Sequence, residues 1–203
     1  MLTLRPVPKR LGALVLLSLL AACGTTDDEV TMRTNPANRK PGYFDVKGYL
    51  DAQVTRLNQL QPAVEKQVQL RDGRQETTRV TKTDWAKELQ IFYQADINKP
   101  ALRGLYAADA APKLQDGVVR ETYALQPGND APVKRLTVEA AQESGATQQL
   151  TATVQQDNPL FYSEKKLLLA VRNGQLTEYE VRGVQKLVFF DTVRYSVRTR
   201  VVQ

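Results

Sequence analysis

The sequence predicts an α+β domain in which N-terminal helices pack on a curved antiparallel β-meander sheet. Three observations carry that expectation. Apolar residues recur at three- and four-residue spacing only before residue 107. After residue 117 the apolar positions alternate with a period of two. The alternating segments are joined by short Pro, Gly, Asn and Ser clusters, which leave no room for crossover helices between parallel strands.

Taken in order, the folded region starts at Tyr43. Asp45 caps a helix carrying Val46, Tyr49, Leu50, Val54, Leu57 and Leu60, and Pro62 ends it. Val64, Val68 and Leu70 alternate with polar residues, Asp72-Gly73 supplies a tight turn, and Gln75 to Thr81 returns as a Thr-rich strand. Thr83 or Asp84 caps a second helix bearing Trp85, Leu89, Phe92 and Tyr93. Pro100 opens a third, short helix through Tyr106, and 107–117 reads as loop. Strands follow at 118–125, 133–141 and 147–155, then at 164–172 and 175–182 around Asn173-Gly174, a strong hairpin signal. Segments 186–190 and 192–201 finish the meander. In element order, though in no motif, this resembles the half-barrel of lipoprotein-carrier proteins and also cystatin-like and NTF2-like folds, and element order assigns no function.

The first 42 residues belong to no core. Arg5, Lys9 and Arg10 form a positive segment, and Leu11 to Ala22 is apolar except for Ser18. That run is too short for a bilayer, which needs about 20 apolar residues, and reads as a signal h-region. Leu20-Ala21-Ala22-Cys23 resembles the lipobox of bacterial lipoprotein precursors. The resemblance implies that residues 1–22 are removed and that acyl chains on Cys23 hold the protein to a membrane. Gly24 after the Cys implies the outer membrane, facing the periplasm or the cell surface. Asp27-Asp28-Glu29 resembles the acidic export tag of some lipoproteins, or is simply a solvated stretch. Residues 23–42 are expected to be a lipidated Cys and a flexible tether, reaching about 20–25 Å on average, followed by a single domain at 43–203.

Charge and composition exclude several chemistries. Of the 28 Lys and Arg, three precede Cys23, leaving 25 against 22 Asp and Glu. A mature charge near +3 in an exported chain does not favour nucleic acid as a partner. There is no histidine, and Cys23 is the only cysteine. Ser-His and Cys-His nucleophiles, imidazole metal sites and disulfides are thereby excluded. No phosphate-cradling glycine motif occurs. No cofactor and no metal are expected.

Four residue sets are candidates for function. Arg194, Arg198 and Arg200 alternate with Val193, Tyr195, Val197, Thr199 and Val201, which puts the arginines on one strand face. They are a possible ligand or partner surface for phosphate or carboxylate groups, although a solvated face is the simpler reading. Trp85, Phe92, Tyr93 and Tyr106, with Phe161, Tyr162 and Tyr179, are a possible apolar cavity between sheet and helices, although ordinary core is simpler. Lys186 to Phe190 is an apolar run read as a strand buried on both faces or a sheet-to-sheet corner, rather than a partner-binding edge. Asp96, Asp109, Glu178 and Glu180 form no evident catalytic pair, and Glu178 and Glu180 are expected to pair with cations opposite. The expectation is therefore a lipid-anchored cell-envelope binding, scaffold or assembly module with an envelope protein as a possible partner. A carrier of an apolar ligand comes second, and a His-free carboxylate hydrolase last; the chain is not expected to be an enzyme.

Overall fold

The computed structural model describes residues 42–69, 73–109 and 113–202. Helix α1 spans Val46–Leu60. Asp45 accepts a hydrogen bond from the Gly48 amide and so caps the first turn. Gln61, in the left-handed region at φ 44°, closes the last turn by donating its amide to Leu57, and Pro62 prevents continuation. Val46, Leu50, Gln53 and Leu57 are the buried positions, whereas Leu60 is exposed.

The rest is mostly strand: β1 (Ala63–Gln69), β2 (Gln75–Val80), β3 (Tyr106–Ala108), β4 (Lys113–Gln115), β5 (Val118–Leu125), β6 (Val133–Ala141), β7 (Thr147–Asn158), β8 (Phe161–Arg172), β9 (Gln175–Leu187) and β10 (Val193–Val202). All ten belong to one antiparallel sheet, ordered β2-β1-β10-β9-β8-β7-β6-β5-β3, with β4 also on β5. The expected meander runs from β5 to β10. The first hairpin then adds to its last strand, so that Ala63 faces Val202. The fold is thus α+β with β dominant.

Between β2 and β3 lie helix α2 (Trp85–Glu88) and two 3-10 segments, Gln90–Ala95 and Pro100–Leu102. Two expectations fail here. The second helix lasts four residues before tightening into 3-10 geometry. The third stops at Leu102, because Gly104 takes φ +73° and redirects the chain. Tyr106 then opens β3 instead of closing a helix, and 107–117 contains strand pairing to β5. In the first hairpin Gly73 has the expected positive φ; residues 70–72 of that turn lie outside the described residues. Asn173 and Gly174, at φ 53° and 72°, make the expected two-residue turn.

The core lies on one face of the sheet. Leu136, Leu150, Leu167, Leu169 and Leu176 project from β6 to β9 against Leu50, Leu57, Trp85, Leu89 and Phe92, all at most 1% exposed. Polar contacts fix the helical layer to the sheet at both ends. Gln53 donates Nε2 to the Gly174 carbonyl (3.0 Å) and accepts the Leu176 amide on Oε1 (3.1 Å). Arg56 donates to the same carbonyl (2.8 Å). At the other end Asn98 accepts the Tyr43 amide and donates to the Phe44 carbonyl. The Tyr43 ring packs edge-on against Tyr106 and Tyr123. On α2, Glu88 takes Lys66 Nζ on one oxygen (2.6 Å) and the Tyr179 hydroxyl on the other (2.8 Å), tying the helix to β1 and β9.

The Gln53 side chain substitutes for a missing strand partner of a buried amide. Gln53→Leu keeps the volume but leaves that amide unsatisfied, and should cost about 1–3 kcal/mol in urea unfolding. A loss below about 0.5 kcal/mol, the scatter of ordinary surface substitutions, would show that the clamp is dispensable.

Candidate functional site

The helices cover one face of the sheet, and the opposite face carries side chains in rows set by the strand register. One row reads Arg120, Glu139, Gln149, Ala170, Glu178, Arg200, Glu65 and Arg79 from β5 to β2. Its cations and anions are equal in number. Arg120 meets Glu139 at 2.6 Å, and Glu178 holds both Arg198 at 2.7 Å and Arg200 at 3.5 Å. The neighbouring row reads Thr122, Thr137, Thr151, Leu168, Glu180, Arg198, Gln67 and Thr77, and is balanced as well.

The next row differs. Ala124, Arg135, Thr153, Lys166, Arg182, Ser196, Gln69 and Gln75 stand in register across β5 to β2, with three cations and no carboxylate. Lys166 and Arg182 are directly opposite each other. Two like charges at a cross-strand position are unfavourable, so the sheet gains nothing from that pairing itself. Beyond this row Glu164 and Arg194 flank Val184, and Asp157 and Lys186 flank Tyr162, so those rows are balanced. Among these rows the cation excess lies in one line across the strands.

Two depressions meet on that line. The first, about 260 Å³, is walled by Arg135, Thr151, Thr153, Lys166, Leu168 and Arg182, with Glu180 at its side. Its floor is the backbone of Ala152 and Leu167, whose side chains are in the core. The second, about 710 Å³, shares Lys166 and Arg182 and continues past Val184 and Ser196 to Arg194, with Glu164 and Asp191 also on its lining. Together they make a shallow open trough perpendicular to the strands.

Glu180 is nearly buried, its side chain 9% exposed. Its carboxylate accepts Arg182 through both Nε and Nη2, and the Ser196 hydroxyl at 3.2 Å. The hydrogen bond to Glu180, then its charge, raises the Arg182 pKa further above its ordinary value. Arg182 is thereby oriented along the trough while keeping its outer donors in solvent. Lys166 is held only loosely, with Glu164 at 4.0 Å. Such a line of donors can bind phosphate, carboxylate or sulfate groups. The strands of Lys166 and Arg182 are adjacent, about 4.8 Å apart, and Arg135 lies two strands from Lys166, across Thr153.

The sequence-based candidates fall as follows. Arg194, Arg198 and Arg200 do share the uncovered face, but Arg198 and Arg200 are occupied by Glu178, and Arg194 alone reaches the trough. Glu178 and Glu180 pair with arginines as expected. Trp85, Phe92 and Tyr106 are buried within the core cluster, and Tyr106 donates its hydroxyl to the Val133 carbonyl. Tyr93 packs against that cluster with its hydroxyl on Asp51. Burial pushes the Tyr106 pKa up to about 12, and burial with the Asp51 bond does the same for Tyr93. Burial, then Glu88, raises Tyr179 as well. All three stay protonated at neutral pH, as packing and hydrogen-bonding groups. Arg135, Lys166 and Arg182 went unnoticed in the sequence, because each is an isolated cation on a different strand and only the register aligns them. Cys23 lies outside the described residues.

Lys186 to Phe190 corrects a further expectation. β9 ends at Leu187, and Phe189 turns through φ +72° instead of continuing the strand. Leu187, Val188, Phe189 and Phe190 are exposed, Phe189 at 99%. Among the described residues no helix is long and apolar enough to cross a membrane, and no group of three or more acidic, Cys or His side chains is placed to hold a metal. No protein-family model, curated protein or solved structure matches the chain.

The two cations of the central pair should respond unequally to removal. Arg182→Ala strips the nearly buried Glu180 of its guanidinium and should cost about 1–2 kcal/mol. Lys166→Thr relieves a like-charge contact and should change stability by less than about 0.5 kcal/mol. Equal losses in chemical denaturation would show that Lys166 is a stabilising element rather than a spare donor.

Proposed function

We propose that this chain is a lipid-anchored binding module of the cell envelope, tethered through Cys23 to the outer membrane, that holds an anionic ligand across the uncovered face of its sheet. The observation that carries the reading is the carboxylate-free row through Arg135, Lys166 and Arg182, set in a trough, where the sheet tolerates opposed like charges. The register shifts in β6–β7 and β8–β9 support a sheet that curls around the helical layer, with this face on the outside.

A ligand lying across strands cannot pair with their backbone, so recognition rests on side chains. That favours a polymer or headgroup bearing charged substituents at repeated spacing over an extended peptide, which would add at a sheet edge. Leu168 and Val184, beside the row on β8 and β9, offer small apolar surfaces for the ligand's uncharged parts. Electrostatic contacts of this kind weaken with added salt.

The apolar-carrier alternative draws little from the described residues, since Trp85, Phe92 and Tyr106 pack against core leucines. A hydrolytic reading draws little from the trough: Glu180 is committed to Arg182 and Ser196, Glu164 accepts the Tyr162 hydroxyl and lies 4.0 Å from Lys166, and Asp191 is the one other carboxylate on its lining. Absence of enzymatic activity is part of the proposal.

Polyphosphate and polygalacturonate of defined length, titrated at 0.15 M ionic strength, are suitable probes. Arg135→Gln/Lys166→Gln/Arg182→Gln should weaken binding of at least one of them about tenfold or more, as expected when three charge-assisted contacts are lost. Arg120→Gln/Arg198→Gln/Arg200→Gln removes the same formal charge and should cost less than about threefold, since all three lie in the neighbouring rows and are paired with Glu139 or Glu178. Equal losses would mean a diffuse charge effect, and unaltered binding in the first variant would refute the trough as the site.

A further inference from the structure

Five large apolar side chains cluster at one end of the sheet: Leu160 in the β7–β8 turn and Leu187, Val188, Phe189 and Phe190 after β9. Leu160 and Phe190 are each 71% exposed and Phe189 is 99% exposed. The two turns form one unit, for the Val188 amide donates to the Leu160 carbonyl. They also project. β6 opposes β7 no further than Val154, whereas β7 and β8 remain paired to Asn158 and Phe161. Four more residues at about 3.3 Å each carry the tip roughly 13 Å beyond the β6 end.

The chain enters the fold at this same end. Tyr43 donates its hydroxyl to the Tyr106 carbonyl, and Tyr106 pairs with Leu125 at the end of β5 and bonds Val133 at the start of β6. The Phe44 amide is held by the Tyr123 hydroxyl. α1 then runs away from it, to the Gly174 turn at the opposite end. Eighteen residues separate Cys23 from Gly42, a contour of at most about 65 Å. An anchor at Cys23 therefore keeps a bilayer within reach of the entry end.

We infer that the tip formed by Leu160, Leu187, Val188, Phe189 and Phe190 inserts into the lipid interface of the membrane that carries the Cys23 anchor. The inference rests on the anchor reading and adds a second contact to it. A projecting wedge of aliphatic and aromatic groups suits a soft interface, where such groups settle at the headgroup and upper acyl level. A protein partner would have to supply a matching concavity. The charges nearest the tip, Lys186 and Arg194 against Asp157, Glu164 and Asp191, carry no cationic excess, so insertion does not depend on anionic lipid. Docked this way, the domain stands on its strand ends and leaves the trough of Arg135, Lys166 and Arg182 facing sideways.

The test uses the full-length lipidated chain in vesicles of phosphatidylethanolamine and phosphatidylcholine. Acylation consumes the only thiol, so Phe189→Cys and Leu160→Cys each introduce one labelling site for a polarity-sensitive fluorophore. Glu143→Cys, in the exposed turn after β6 at the far end, is the reference. Labels at 160 and 189 should shift to shorter wavelength and be quenched several-fold more by brominated acyl chains than the label at 143. Equal, water-like emission at all three positions overturns the inference. So does a shift that appears without vesicles and grows with protein concentration, which would mean that a second copy covers the tip. A wild-type chain that itself takes up the label would instead show that Cys23 is not acylated, a separate failure of the anchor reading.

Discussion

One constraint organises this molecule: the helical segments among its described residues cover a single face of a ten-stranded sheet. α1, the short α2 and two 3-10 segments bury Leu136, Leu150, Leu167 and Leu169 from one side. Because so few helical residues do this, their attachment cannot rest on apolar contact alone. Gln53 and Arg56 grip the Gly174 turn, Glu88 grips Lys66 and Tyr179, and Asn98 grips the entering chain at Tyr43 and Phe44. Each grip joins segments far apart in sequence.

The uncovered face has the opposite problem. Among the described residues no second layer covers its strands, and charge placed on adjacent strands interacts strongly enough to matter for register. Alternating signs solve this along the row from Arg120 to Arg79, where Glu178 serves two arginines. The row through Arg135, Lys166 and Arg182 does not follow that solution, and it is the one that coincides with the trough. Local exceptions to a rule obeyed by the surrounding structure are where function is to be sought.

Much of the fold was legible in the sequence because its signals are local. Asp45, Pro62 and the Asn173-Gly174 pair act over a few residues, and the structure follows them. The truncated third helix was less visible. Pro100 signalled a start, but the stop depends on Gly104 and on the pull of Tyr106 into the core, a tertiary effect. The arginines of β10 were visible because they alternate within one strand. The trough was not, since Arg135, Thr153, Lys166 and Arg182 are aligned only by the pairing of four strands and a register shift in β6. Lys186 to Phe190 misled for a related reason: an apolar run looks like a buried strand until Phe189 turns the chain outward.

If the uncovered face is the working surface, it should be occupied where the protein lives. Amine reactivity of Lys166 toward an acylating reagent, compared between native envelopes and purified protein, measures this directly. Lys47 and Lys87, exposed on the helical side, provide the internal reference. The expected result is slower modification of Lys166 in the envelope, with Lys47 and Lys87 unchanged. Protection of Lys47 or Lys87 with full reactivity at Lys166 would place the partner on the helical side and contradict the account.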